Sequence, residues 1–347
     1  MKLEELDKNF AVETSIDKDD ICFFDIEQKP FKIYGVFKEN GRYLRMPEKV
    51  AKSVSEKIDK LNEHTVGGRV RFVTDSSYIA IKTRQSKINR SSRTTLISVM
   101  GFDLYVDGEF VKPFIPPLDA EDGFESIVEF SANEKREITI YFPRGASVED
   151  MYVGIQKDAV LEEPTPYKNT KPIVYYGSSI THGGCASRTG MIYQNIIERR
   201  FNYDYINLGF SGNARGEQEF SDYIKNLDMS VFVLDYDHNA PTPQHLRDTH
   251  ERFYKDVREK NPALPIILMS RPKFKLDEEE LERLEIIKTT FKNAVDAGDK
   301  NIYLIDNKAL TSICKNEGTI DGCHPTDFGF VSMAKALGDV IEKINVV

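Results

Sequence analysis

The hydrophobic pattern of this chain changes period at one proline-rich segment, and that change limits the fold more than any other feature. From about residue 30 to 160, apolar and polar residues alternate over short runs: Arg69–Thr74 (RVRFVT), Tyr78–Thr83 (YIAIKT), Gly101–Val106 (GFDLYV), Ser126–Phe130 (SIVEF) and Arg136–Phe142 (REITIYF). A period of two is that of a strand with one buried face. Turn pairs such as Asp107-Gly108 and Asp122-Gly123 separate the runs, which favours an antiparallel β-sandwich over a set of βα units. A helical stretch from Pro47 to Leu61 reads as decoration on that sandwich. The segment Glu162–Pro172 (EEPTPYKNTKP) reads as an extended linker. Beyond it, short apolar runs (Ile173–Tyr176, Tyr205–Leu208, Val231–Leu234, Pro265–Met269, Ile302–Ile305) alternate with amphipathic helical stretches at 191–201, 217–227, 243–260, 277–297 and 329–344. That alternation predicts a parallel sheet covered on both faces. The expected division is a sandwich over 1–160, a linker over 161–172 and an α/β domain over 173–347.

The chain's 347 residues exceed the usual size of one core, in keeping with two domains. A net charge of −9 argues against a nucleic-acid partner and disfavours anionic membrane surfaces. No run approaches the ~20 apolar residues of a membrane span. The N-terminal MKLEELDKNFAVE has no apolar signal region. Cys22, Cys185, Cys314 and Cys323 form no CxxC pair and read as small buried hydrophobes under reducing conditions. Cytoplasmic location is the expectation.

In an open α/β sheet, chemistry gathers in the loops beyond the carboxyl ends of the strands. Four such loops carry suggestive residues. Gly177-Ser178-Ser179-Ile180-Thr181-His182-Gly183 follows a strand and precedes a helix. A serine on such a turn can expose its hydroxyl beside backbone N–H donors, as an acyl-transfer nucleophile requires; an N-cap or a phosphate-binding turn would use the same loop. Asn207–Gly216 (NLGFSGNARG) is rich in glycine, which lets backbone approach a ligand. Asp235-Tyr-Asp237-His238-Asn239 ends an apolar run, and an asparagine there can donate to an oxyanion. Asp321-Gly-Cys-His324-Pro325 puts a carboxylate and an imidazole three residues apart on one turn, where the acid can orient the base.

Together these loops resemble the SGNH (GDSL-like) hydrolase superfamily, whose blocks carry a Ser, a Gly, an Asn and a His in that chain order. The usual Gly-Asp-Ser of the first block is Gly177-Ser178-Ser179 here, so the nucleophile position falls on Ser179. The second-block glycine falls on Gly212. The third block departs from its usual Gly-x-Asn-Asp, and the Asn role is assigned to Asn239. Gly101-Phe-Asp-Leu-Tyr105 resembles the G-x-D-L-Y signature of a β-sandwich module fused ahead of some members.

The resemblance implies a flavodoxin-like three-layer α/β/α domain preceded by a jelly-roll-like sandwich. It further implies a Ser179–His324–Asp321 triad, an oxyanion hole of the Ser179 and Gly212 N–H groups with the Asn239 amide, and no metal or organic cofactor. Two-domain members of this type resemble carbohydrate acetyl esterases acting on plant-polysaccharide fragments, so an oligosaccharide ester is the expected partner, with a homo-oligomer left open. His182, Arg188, Asp237 and His238 are candidate substrate contacts. A zinc site is disfavoured because His182, Asp237, His238 and His324 lack standard ligand spacing. The competing readings are another short-chain esterase, lipase or thioesterase, and a non-catalytic sugar-binding protein on an esterase scaffold.

Overall fold

The computed structural model describes residues 12–169 and 171–344. In chain order the first elements are β1 (Ile21–Asp25), β2 (Lys32–Tyr34), β3 (Phe37–Glu39), β4 (Arg42–Leu44), α1 (Glu48–Val54), α2 (Glu56–Asn62), β5 (Arg69–Thr74), β6 (Tyr78–Gln85) and α3 (Leu96–Met100). There follow β7 (Phe102–Val106), β8 (Glu109–Phe114), β9 (Gly123–Glu129), β10 (Arg136–Tyr141), β11 (Val148–Gln156) and β12 (Leu161–Glu162). The remainder is β13 (Ile173–Gly177), α4 (Tyr193–Phe201), β14 (Tyr205–Gly209), α5 (Gln218–Ile224), β15 (Val231–Asp235), α6 (Pro243–Lys260), β16 (Ile266–Met269), α7 (Glu278–Asp296), β17 (Ile302–Ile305), α8 (Asn307–Leu310) and α9 (Asp327–Ile344). Two compact units result. The first takes the chain up to Arg45, Glu63–Pro166 and Arg188–Gly190; the second takes Met46–Asn62, Tyr167–Ser187 and the chain from Met191 onward.

The first unit is an antiparallel sandwich. One sheet runs β1-β11-β6-β9, the other β12-β5-β10-β7-β8 with β2 also on β5. Their inner faces meet in one core that includes Ile79, Ile81, Val153 and Ile155 from the first sheet and Val70, Phe72, Leu104, Ile138 and Ile140 from the second. The period-two reading of 30–160 is therefore realised, with one difference. The polar face of β5 is also buried: Arg71 pairs with Glu137 at 2.6 Å, and Arg69 donates to the Gly67 carbonyl at 2.7 Å.

The helical stretch expected at Pro47–Leu61 differs in two ways. It breaks at Ser55, whose backbone is extended, into α1 and α2. It also belongs to the second unit: Met46, Ala51 and Ile58 are buried in one cluster with Val174, Leu208, Phe220 and Phe232. Its apolar stripe completes the α/β core and does not decorate the sandwich. The expected linker is likewise anchored at both ends. Leu161–Glu162 pairs with β5, while Asn169 donates to the Asp204 carbonyl at 2.9 Å and Tyr167 donates to Glu198 at 2.7 Å.

The second unit carries a fully parallel sheet in the order β14-β13-β15-β16-β17. Its strands are apolar on both faces because both are covered. Val174 and Tyr176 look into the cluster with Phe220 of α5, Phe253 of α6 and Ile287 of α7. On the same strand Tyr175 meets Tyr193 of α4, which stacks on Phe330 of α9. The strand order reverses beside β13, which is where ligands bind in such folds. Register sharpens this: Gly177 stands opposite both Gly209 and Asp235, so the carboxyl ends of β13, β14 and β15 are level. Among the described residues no helix is long and apolar enough to cross a membrane.

Candidate active site

Three glycine- and polar-rich loops leave that level edge. In the first, Ser178 is fully buried, its N–H donating to the Asp235 carbonyl at 3.0 Å and its hydroxyl accepting from the Ile180 N–H at 3.2 Å. Ser179 is half-buried, and its Oγ lies 3.0 Å from His324 Nε2. The loop is held from below. Thr181 Oγ1 donates to Asp235 Oδ2 at 2.9 Å, and its carbonyl accepts from Gln194 and Asn207 at 2.8 Å each. The packing leaves no room for side chains at the strand ends: a Cβ on Gly177 would sit 2.1 Å from the Asp235 carbonyl oxygen, and one on Gly209 would sit 2.3 Å from the His182 nitrogen.

The second loop carries Gly212, exposed and at φ +70°, a conformation that favours glycine. The N–H groups of Gly212 and Ser179 have no acceptor among the described residues. In the third loop Asn239 Nδ2 donates to the Phe210 carbonyl at 3.0 Å, which uses one of its two amide hydrogens and orients the other.

The fourth loop, between α8 and α9, is drawn tight by a bridge between Thr319 and Pro325 and by the Ile320 N–H donating to the His324 carbonyl at 3.0 Å. Within it Asp321 accepts from the Cys323 and His324 N–H groups through Oδ1, while Oδ2 lies 2.8 Å from His324 Nδ1. Three bonds tie this loop and the start of α9 to the chain after Ser179. The Cys185 N–H donates to the Pro325 carbonyl at 3.2 Å, and Ser187 donates to the Asp327 carboxylate from its N–H at 2.8 Å and its hydroxyl at 2.5 Å. Ser179, His324 and Asp321 thus form one connected line.

The four residues named as substrate contacts fare differently. Arg188 does not join this cluster; it belongs to the sandwich unit, where it bonds Asp103 at 2.7 Å and Tyr105 at 2.8 Å and stacks over Phe110. His182 is buried beneath the loop. Asp237 is buried as well and faces away from solvent into a guanidinium pair. Arg271 meets it with Nε at 3.1 Å and Nη2 at 2.9 Å, and Arg283 lies at 3.8 Å. Burial alone would raise the Asp237 pKa, but Arg271 holds it below the ordinary carboxylate value.

Only His238 stays beside the triad. Its Nδ1 lies 3.6 Å from Cys323 Sγ, and burial, then the Arg271 charge, push it down to about 3, leaving a neutral ring. Burial, then Asp321, raises the Cys323 thiol, which opposes a nucleophilic role. Among the described residues no three His, Cys, Asp or Glu side chains are gathered to hold a metal ion.

Sequence reasoning missed Asp235, Arg271, Arg283 and the Ser187–Asp327 tie. Asp235 stood at the end of an apolar run and was legible by position alone; the two arginines carried no local signal.

Comparison with known proteins identifies a family for each part of the chain. The GDSL-like Lipase/Acylhydrolase family matches residues 170–342, and the GxDLY module, described as the N-terminus of Esterase_SGNH_hydro-type, matches residues 21–161. No curated protein sequence matches the chain. Among solved structures, one described as a GDSL-like lipase from Bacteroides ovatus ATCC 8483 is 28% identical, with a TM-score of 0.83 over 94% of this chain and 98% of that one. The salicylyl-acyltransferase SsfX3 from a tetracycline biosynthetic pathway is 18% identical, with a TM-score of 0.77 over 95% and 99%. The acetyl xylan esterase Est2A from the rumen bacterium Butyrivibrio proteoclasticus is 13% identical, with a TM-score of 0.61 over 94% and 99%. The latter two share the fold. The chain belongs to the GDSL-like lipase/acylhydrolase family and is a carboxylic ester hydrolase with a GxDLY module at its N-terminal side.

Proposed function

We propose that the protein is a serine esterase that removes O-acetyl groups from carbohydrates, with Ser179 as nucleophile, His324 as general base and Asp321 orienting the imidazole. The observation that carries this reading is the line from Asp321 through His324 to Ser179, with contacts of 2.8 and 3.0 Å; the Ser179 and Gly212 N–H groups have no acceptor among the described residues. With its proton on Nδ1 held by Asp321, His324 accepts the Ser179 proton at Nε2 as Oγ attacks the ester carbonyl. The tetrahedral oxyanion would take donors from the Ser179 and Gly212 N–H groups and the free Asn239 amide hydrogen. His324 then protonates the departing sugar hydroxyl, and water hydrolyses the acyl-enzyme by the same base. A non-catalytic scaffold has no need of this alignment. The acetyl and sugar preference draws its support from the fold shared with the acetyl xylan esterase of Butyrivibrio proteoclasticus.

The test is acetate release from 4-nitrophenyl acetate and from acetylated xylan oligosaccharides, compared with butyrate and longer esters. A preference for acetate and for the sugar substrate is expected; faster turnover of butyrate or longer chains would remove the deacetylase reading and leave the fold intact. Asn239→Ala is expected to lower kcat by about 10²–10³ while KM changes little, since its donor acts on charge that develops only in the transition state. Steady-state kinetics on 4-nitrophenyl acetate check it.

A further inference from the structure

The third loop lacks the glycine and the following aspartate usual in this family, yet two buried arginines brace it. Its short 3-10 turn, Asp237–Asn239, is held from both sides by buried guanidinium groups. Arg283, on α7 and 4% exposed, donates from Nη1 to the carbonyls of Asp237 at 3.2 Å and Ala240 at 3.0 Å, the residues that bracket His238 and Asn239. Arg271, in the loop just after β16, forks onto the Asp237 carboxylate and adds its own N–H at 3.2 Å.

The brace is itself anchored. Arg271 bonds Glu280 at 2.8 Å, and Glu280 also receives Lys273 at 2.7 Å and closes the capping box of α7 with Asp277. Arg283 is held by Glu279 at 2.8 Å. Every buried charge in the group has an opposite partner, which is the condition under which such a cluster is tolerated.

We propose that Arg283, seconded by Arg271, is a positioning residue for the oxyanion hole, fixing the turn that aims the free amide hydrogen of Asn239. The idea rests on the reading of Asn239 as an oxyanion donor. The two carbonyls on either side of His238 and Asn239 are tied to one planar group, so the turn cannot rotate without breaking both bonds. Phe210 sets the Asn239 amide from the other end, so the donor is fixed before substrate arrives, the property that makes such a donor effective.

The experiment is a double-mutant cycle on the full chain with 4-nitrophenyl acetate. Arg283→Met in the native background is expected to lower kcat by about tenfold or more, with KM changed less than about twofold, because the lost interaction is one with the transition state. In an Asn239→Ala background the same change is expected to cost less than about twofold. Arg283→Lys, which keeps a charge beside Asp237 and can reach one carbonyl, is expected to fall between, and it carries the cycle if the methionine variant does not fold. An equal loss from the arginine change in both backgrounds overturns the positioning role. A native kcat in Asn239→Ala alone overturns the oxyanion reading beneath it, and the two failures are thereby distinguished.

Discussion

Ser179→Ala is expected to lower kcat on 4-nitrophenyl acetate by about 10⁴-fold or more and leave the protein folded. Members of a catalytic triad act as a unit, so removing the nucleophile or the base costs nearly what removing both does. His324→Ala should therefore match it, and the double variant should be no worse than either. Folding is spared because the hydroxyl is half-exposed and its bond runs to His324, while the loop's backbone is fixed by Asp235, Gln194 and Asn207. Mass spectrometry after a brief exposure to the acetyl ester should find an acetyl adduct on the parent and none on the alanine variant. Retention of a tenth of the parent's kcat would show that another group attacks the ester.

The second large effect concerns stability. Asp235 is 1% exposed at the end of the central strand and has no cationic partner among its contacts, which are the hydroxyls of Thr181 at 2.9 Å and Tyr193 at 3.5 Å. Burial, aided by the nearby Asp237 charge, raises its pKa to about 8 against the opposing hydrogen bonds. A folded-state value above the ordinary 3.8 means that Asp235 favours folding fully below pH ~4 and loses that contribution as pH climbs toward ~8. One pKa unit corresponds to ~1.4 kcal/mol, so the whole span is worth several kcal/mol.

Asp235→Asn keeps the shape and an acceptor for Thr181 but cannot ionise. Between pH 5 and pH 9 its stability relative to the parent is expected to rise by roughly 3 kcal/mol or more, read from urea unfolding at each pH. Parallel pH dependence of the two proteins would mean that Asp235 is already ionised in the fold at pH 5. Because the Asp235 carboxyl also holds the Thr181 hydroxyl in the Ser179 loop, the parent's kcat should decline above pH ~8, and the asparagine variant should lose that decline.

Much of the site was legible because it is local. Asp321 and His324 share one turn, and a three-residue separation is enough to let a carboxylate reach an imidazole wherever that turn lies. Ser179 and Gly212 follow short apolar runs, and the rule that chemistry collects beyond the carboxyl ends of parallel strands places them on one edge from the sequence alone. Arg188 and Asp237 turn to buried partners that the sequence does not show, for a common reason. A charged or imidazole side chain in a loop has the same sequence whether it faces substrate or a buried partner. The partners in these cases, Asp103 and Arg271, lie far away in the chain.

The two periods of the hydrophobic pattern settled the sandwich and the parallel sheet, since each depends on spacing within a few residues. Folding in three dimensions decided the rest. It assigned α1 and α2 to the α/β core because their apolar stripe fits the face left by β13 and β15. It buried Asp235 against two hydroxyls, with no cationic partner among the described residues, and it set Arg271 and Arg283 behind Asn239. Such pairings arise when distant strand ends and helix termini meet, and no local pattern encodes which of many arginines will be the one enclosed.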